Sequence, residues 1–137
     1  MSMSNRTILV VDDEVAQRDL MRKTLHAEGY TVLECPDYDD ALAVQQKHLG
    51  EIDLLVIDLS LPGGNGYDLS IALLAVEPHL KVLVISGHAG AELRKFVEEP
   101  LGGLSFLEKP FHPEEFLQRV KSVMESPDPF AGAVSAQ

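Results

Sequence analysis

Short apolar runs alternate with longer amphipathic stretches along the chain, and this alternation predicts the elements of the fold. Five runs are rich in aliphatic and β-branched residues and are typical of buried strands: RTILVV, TVLEC, IDLLVID, KVLVIS and LSFLE. A stretch with helical spacing follows each of them: EVAQRDLMRKTLHAEGY, ALAVQQKHL, YDLSIALLAV, AELRKFVEE and PEEFLQRVKSVME. The chain therefore repeats a strand followed by a helix five times.

Nearly continuous apolar strands indicate burial on both faces, which is typical of a parallel sheet covered by helices. Connections between parallel strands are right-handed, so we expect an α/β fold with a doubly wound, five-stranded parallel sheet and helices on both faces. In such sheets, ligands bind beyond the carboxyl ends of the strands. A functional site is therefore expected at that edge.

Residues at the ends of the helical stretches support the predicted boundaries. Asp37 is expected to cap the second helix, Pro113 to occupy the first turn of the last helix, and Gly29 to end the first. The first helix is predicted to bury one face, which comprises Leu20, Met21, Thr24 and Leu25.

The composition indicates a globular protein of one domain and excludes several classes of function. The 137 residues include 22 acidic and 11 basic side chains, which give a net charge of −11. Nucleic-acid binding needs a basic surface, so DNA and RNA are not expected partners. No apolar run approaches the ~20 residues of a membrane span, and MSMSNRTILV lacks a signal-peptide pattern. We therefore expect a cytoplasmic protein without membrane association, monomeric at rest.

Cys35 is the one cysteine of the sequence, so an internal disulfide is excluded and a buried apolar role is expected. The strand–helix pattern assigns residues 1–125 to the domain. The remaining residues, 126–137 with the sequence SPDPFAGAVSAQ, are predicted to form a disordered tail or a linker.

Polar side chains stand at the points where the predicted strands end. Asp12 and Asp13 follow the first strand, Asp58 ends the third, Ser86 ends the fourth, and Lys109 follows the fifth. These ends share one edge of a parallel sheet, so the side chains are expected to meet. Carboxylates this close repel one another, and Mg²⁺ prefers oxygen ligands of this kind. The set suits an aspartyl phosphate, with a carboxylate as nucleophile and a metal and a lysine to neutralise charge.

Four motifs, VVDDE, LLVIDLSLPGGNG, LVISG and FLEKPF, occur in an order that resembles the response-regulator receiver domain of two-component signalling. The resemblance covers about residues 6–125. It implies a flavodoxin-like fold with strand order 2-1-3-4-5, and a signalling switch that is not an enzyme. The receiver is expected to be either a single-domain regulator or part of a hybrid sensor kinase.

The resemblance also implies how the acidic residues act. Asp58 matches the phosphoacceptor, which receives a phosphoryl group from a sensor histidine kinase or a histidine phosphotransfer protein. Asp12, Asp13, Asp58 and the backbone carbonyl of Ser60 match the Mg²⁺ ligands. The downstream target is expected to be a protein, and the sequence does not identify it.

Ser86 and Lys109 match the hydroxyl and the lysine of the family's site, and Phe106 stands where the family carries a switching aromatic. Phe106 lacks the hydroxyl of a tyrosine, so its inward position is predicted to be favoured even without phosphate. Asn65 replaces an acid that is frequent in the family, and asparagine retains the turn chemistry. His88, two residues after Ser86, occupies a position where family members vary.

Two other functions share part of this pattern. A pseudo-receiver would bind partners without phosphorylation, but the acceptor, acid pair, hydroxyl and lysine are all present here. A phosphatase of the haloacid dehalogenase type also forms an aspartyl phosphate. That family needs a second acid two residues after the nucleophile, where this chain has Ser60.

Overall fold

A five-stranded parallel sheet forms the centre of the protein, as the alternation of apolar runs predicts. The computed structural model describes residues 6–61, 64–87 and 105–126. The strands of the sheet are β1 (Thr7–Val11), β2 (Thr31–Cys35), β3 (Leu54–Asp58), β4 (Lys81–Ser86) and β5 (Ser105–Glu108). Their spatial order is β2-β1-β3-β4-β5, and every neighbouring pair is parallel. The predicted fold class and strand order are confirmed.

Helices cover both faces of the sheet. In the described ranges they are α1 (Val15–Ala27), α2 (Tyr38–Lys47), α3 (Gly66–Val76) and α4 (Pro113–Glu125). None of these helices combines the length and the hydrophobicity that crossing a bilayer requires. The helix predicted at AELRKFVEE, the residue His88 and the tail 127–137 lie outside the described residues.

Alternate residues of each strand point to opposite faces and build two hydrophobic cores. One core lies under α2 and α3 and includes Ala41, Leu69 and Leu73. The other lies under α1 and α4, whose buried side chains include Met21, Leu25, Phe116 and Val120. Cys35 belongs to the first core, and burial raises the pKa of its thiol to about 12. The thiol is therefore protonated at neutral pH, in agreement with the expected apolar role.

The predicted helix ends are confirmed by their hydrogen bonds. After α1, Gly29 has φ 95° and its N–H donates to the His26 carbonyl at 2.9 Å, while the Tyr30 N–H donates to Leu25 at 3.3 Å. This pair of bonds is the Schellman motif, which favours glycine at that position. At α2, the Asp37 side chain accepts the Asp40 N–H at 2.9 Å.

The buried face of α1 is narrower than the sequence predicts. Met21 and Leu25 are fully buried one helical turn apart, whereas Leu20 is 42% exposed. Thr24 is only partly buried, and its hydroxyl donates to the Leu20 carbonyl at 2.9 Å. With 3.6 residues per turn, neighbours in sequence point in directions about 100° apart, so Leu20 cannot face the sheet together with Met21. The prediction was wrong for Leu20.

A short antiparallel hairpin follows β3, in the segment that the sequence marks only as a turn. Its strands are Ser60–Leu61 and Gly64–Asn65. Gly64 lies against the ring of Tyr38 on α2, since a Cβ there would come within 2.9 Å of Tyr38 Cδ2. The hairpin is therefore packed against α2, directly after the strand that ends in Asp58.

Candidate functional site

The carboxyl ends of four strands bring the predicted site residues to one edge of the sheet. Asp12 directly follows β1, Asp58 and Ser86 are the last residues of β3 and β4, and Lys109 directly follows β5. Asp12, Asp58 and Ser86 are 0%, 4% and 0% exposed. Polar groups at this depth are costly unless bonds or opposite charges compensate them. Their partners therefore decide what the site can do.

Three carboxylates are crowded together at this edge. Oxygens of Asp12, Asp13 and Asp58 all lie within 4.8 Å of one another, and Asp13 is the exposed member. Burial raises the pKa of Asp12 to about 6. The charges of Asp58 and Asp13 act in the same direction as burial, the hydrogen bond from the Glu14 N–H and the charge of Lys109 lower the pKa, and about 6 is the net result. The fully ionised cluster is therefore electrostatically unfavourable on its own.

Lys109 supplies the one positive charge that contacts Asp58 in the described part of the chain. Its Nζ lies 2.7 Å from Asp58 Oδ2. Burial alone would lower the pKa of Lys109, but the hydrogen bond to Asp58 and the charges of Asp58 and Asp12 outweigh burial and raise it. Lys109 is therefore a fixed ammonium at neutral pH. The Lys109–Pro110 peptide bond that follows is cis.

Two buried polar atoms have no hydrogen-bond partner among the described residues: Asp12 Oδ2 and Ser86 Oγ. Buried polar atoms in native proteins are nearly always satisfied, so such atoms at one edge call for an explanation. The donor set is all oxygen and carries three negative charges, which is the chemistry that Mg²⁺ selects. The residues therefore fit a magnesium ion, with Asp12 Oδ2 as a free ligand atom.

Ser60 contacts Asp58, and Phe106 shares one face of the sheet with Ser86. The Ser60 backbone N–H donates to Asp58 Oδ1 at 3.0 Å. Phe106 is 9% exposed and belongs to the core under α2 and α3. It pairs in register with Val84, two residues before Ser86, so Phe106 and Ser86 share one face of the sheet. Two roles stay predictions: that of the Ser60 carbonyl as a Mg²⁺ ligand and that of Phe106 as a switching aromatic.

The loop after Asp58 is held by Gly66 and Asn65. A Cβ at Gly66 would lie 2.5 Å from the backbone oxygen of Asp58, so only glycine allows this close approach. The Gly66 N–H donates to the Leu59 carbonyl at 2.7 Å. Asn65 caps α3 by accepting the Asp68 N–H at 2.8 Å, which confirms that it retains the turn chemistry.

Sequence reasoning missed Arg18, which also reaches the site. From the first turns of α1, its Nη1 donates to the backbone carbonyl of Asp12 at 2.7 Å. An arginine on the helix that follows the acid pair is a weak signal, because most such residues are solvated. The contact is visible only once α1 is packed beside β1.

The fold and the site together define a class of protein: a flavodoxin-like α/β domain with an acidic cluster and a lysine at the carboxyl edge of its sheet. The sequence model of the response regulator receiver domain matches residues 8–121. The chain therefore belongs to the response regulator receiver domain family, the receiver domains of two-component systems.

Several proteins and solved structures resemble the chain. It is 34% identical to an uncharacterized transcriptional regulatory protein YbdJ of Bacillus subtilis, over 90% of this chain and 52% of that protein. It is 35% identical to the phosphate regulon transcriptional regulatory protein PhoB of Klebsiella pneumoniae, over 92% of this chain and 55% of that protein. The chain thus spans about half the length of these relatives.

Among solved structures, the non-phosphorylated HemR receiver domain of Leptospira biflexa superposes with a TM-score of 0.81 at 32% identity. That match covers 91% of this chain and 98% of the HemR domain. The receiver domain of the hybrid histidine kinase CckA superposes with a TM-score of 0.73 at 33% identity, covering 87% of this chain and 99% of that domain. Receivers of regulators and of hybrid kinases are therefore both similar to this chain.

Asp12→Asn should stabilise the metal-free protein at alkaline pH. The pKa of Asp12 is raised from 3.8 to about 6 on folding, so between these values the folded state keeps a proton that the unfolded state releases. Stability therefore falls as pH rises through this window, and the loss is complete above it. We expect the variant to gain about 3 kcal/mol at pH 8 in EDTA, and the gain to vanish towards pH 4.

Urea unfolding of both proteins across this pH range measures the gain. Asp13→Asn is the matched control, because the exposed Asp13 loses little hydration on folding and its replacement should change stability less. A difference between Asp12→Asn and the wild type that stays constant with pH would contradict the account of Asp12.

Proposed function

We propose that this chain is a phosphorylation-activated signalling switch that receives a phosphoryl group on Asp58. The donor is a phosphohistidine of a sensor histidine kinase or of a histidine phosphotransfer protein. One observation carries the proposal: the Asp58 carboxylate lies 2.7 Å from the Lys109 ammonium and within 4.8 Å of the oxygens of Asp12 and Asp13. A nearly buried carboxylate with this surrounding suits a nucleophile for phosphoryl transfer.

In the transfer, a carboxylate oxygen of Asp58 attacks the phosphorus atom while the phosphorus–nitrogen bond of the donor breaks. The electron pair of that bond leaves with the imidazole, and Asp58 becomes a mixed anhydride. Lys109 Nζ offsets negative charge beside the acceptor. Asp12, Asp13, Asp58 and the Ser60 carbonyl would hold Mg²⁺, which when bound neutralises charge on the phosphoryl oxygens.

The phosphoryl group adds about −1.5 to −2 charges and new acceptor oxygens at the end of β3. The Ser86 hydroxyl, buried at the end of the neighbouring β4, would donate to one of them. Its movement would open space on the face of the sheet that Phe106 shares. This local charge event would then alter the partner-binding surface around β5. Because the Phe106 ring is buried already, we expect the response to phosphorylation to be modest.

The remaining proposals concern the domain bounds, the location and the partners of the protein, and they rest on its membership of the receiver family. We propose that residues 1–125 form the receiver unit, with 126–137 as a tail or linker. The unit works in the cytoplasm as a monomer at rest, binds protein partners rather than nucleic acid, and transmits a signal rather than turning over a substrate. The net charge of −11 supports the absence of direct DNA contacts by this unit.

Labelling with a small acyl phosphate tests the acceptor. The wild type should gain one phosphoryl group in Mg²⁺ and none in EDTA, and intact mass spectrometry measures the gain. Asp58→Asn should abolish it, because the amide is not a nucleophile. Asp39→Asn is the control, since Asp39 is an exposed acid on the first turn of α2.

Labelling of Asp58→Asn as efficient as that of the wild type would show that the acceptor is another residue. A wild type that is never labelled, although it binds Mg²⁺, would favour the pseudo-receiver.

Ser86→Ala should separate phosphorylation from the switch. The variant keeps the acceptor and the acids, so it should still be labelled, but it lacks the hydroxyl that would respond to the phosphoryl group. NMR shifts of the Phe106 ring should change little on phosphorylation of Ser86→Ala and measurably in the wild type. Ser86→Thr retains a hydroxyl and is the control. Equal ring shifts in wild type and Ser86→Ala would contradict the coupling.

A further inference from the structure

Arg18 connects the acid cluster to β2 through two separate hydrogen bonds. Its Nη1 donates to the backbone carbonyl of Asp12 at 2.7 Å, and its Nε donates to Glu34 Oε1 at 3.2 Å. The side chain of Arg18 is only 17% exposed. Glu34 pairs in register with Val10, two residues before Asp12, so it reaches Arg18 from the neighbouring strand.

Asp12 is held at three points, of which Arg18 supplies one. Its backbone N–H donates to the Cys35 carbonyl at 3.2 Å, and its Oδ1 accepts the Glu14 N–H at 2.8 Å. Arg18 secures the backbone carbonyl. The remaining polar atom, Oδ2, is the one without a partner in the described ranges. The residue is therefore fixed in space with one carboxylate oxygen left available.

We propose that Arg18, braced by Glu34, is a positioning residue that preforms the acid cluster for a divalent cation. This inference rests on the proposed function only in that the cluster binds the cation. Within the described residues, Arg18 makes no hydrogen bond to the carboxylates of the cluster; it fixes the backbone from which the side chains of Asp12 and Asp13 project. Partners of this kind, one step removed from the ligands, strongly affect metal affinity because they set ligand orientation.

The guanidinium is suited to this role because its planar fork donates in two directions from one rigid group. A lysine ammonium on a flexible chain cannot hold the Asp12 carbonyl and Glu34 in the same fixed geometry. The ion pair with Glu34 by itself contributes little, since such partly exposed pairs are screened by water. The contact with the buried backbone is what distinguishes Arg18 from an ordinary surface arginine.

Arg22 provides a matched comparison one turn further along α1. Its Nε lies 3.0 Å from Glu34 Oε2, and it also pairs with Asp19. Arg22 thus shares the charge, the helix and the Glu34 partner of Arg18, but in the described part of the chain it makes no hydrogen bond to Asp12. An effect that appears at Arg18 and not at Arg22 would point to the Asp12 contact or to the deeper burial of Arg18, and not to the charge or the Glu34 pair.

The test is the affinity of the full chain for Mn²⁺, used as a paramagnetic probe of the magnesium site and followed by NMR line broadening. Arg18→Gln should weaken binding about tenfold, whereas Arg22→Gln should stay within about twofold of the wild type. Arg18→Lys should not restore affinity. Glu34→Gln keeps Arg18 but weakens its ion pair with residue 34, so the loss of Mn²⁺ affinity should be intermediate. This variant replaces Arg18→Gln in the test if Arg18→Gln does not fold.

The outcomes separate this inference from the proposed function. If the wild type does not bind Mn²⁺, the proposal that the acid cluster binds a divalent cation is wrong. If the wild type binds and Arg18→Gln binds equally well, the cluster stands but Arg18 does not position it. Equal losses in Arg18→Gln and Arg22→Gln would indicate a general effect of charge and would also overturn the positioning role. A backbone amide shift of Asp13 in metal-free Arg18→Gln, absent from Arg22→Gln, would support it.

Discussion

Three carboxylates at one edge of a parallel sheet, two of them buried, are the constraint on which the rest of the structure depends. Lys109 contacts Asp58 at 2.7 Å but offsets only part of the negative charge. Asp12 is held at its backbone and at Oδ1, while Oδ2 remains without a partner in the described residues. A fold that tolerates this arrangement gives up stability at the site, which is a common feature of sites that bind a cation or an anionic group. The proposed phosphoryl transfer depends on the same excess of negative charge, because that excess is what would attract the cation.

The scaffold makes the cluster possible by fixing its members on rigid elements. The strands β1 and β3 are adjacent, so Asp12 and Asp58 meet without help from long loops. Close contact of Gly66 with the Asp58 backbone fixes the loop behind Asp58, and Arg18 secures the backbone of Asp12. Sites carried by strand ends are held more accurately than sites on loops, and this accuracy favours reactions that depend on orientation.

Most of this site can be predicted from the sequence because its polar residues stand at the ends of regular apolar runs. Asp12, Asp58 and Ser86 end apolar runs, and a parallel sheet brings such ends together. Details that depend on packing could not be predicted in the same way. Leu20 and Met21 look alike in sequence, yet only the direction of α1 decides which is buried. The Arg18 contact joins a helix to a loop and leaves no periodic signal. The hairpin after Asp58 is too short to show a strand pattern.

The most direct test of the central claim is the effect of Mg²⁺ on the free energy of unfolding at pH 8. A ligand that binds only the folded state stabilises it by about 2.7 kcal/mol at one hundred times its Kd. A gain of this kind is expected in the wild type and should be lost in Asp13→Ala, with both proteins compared against NaCl of equal ionic strength. A wild type that Mg²⁺ stabilises no more than matched NaCl would contradict the claim that this edge is built to receive a cation.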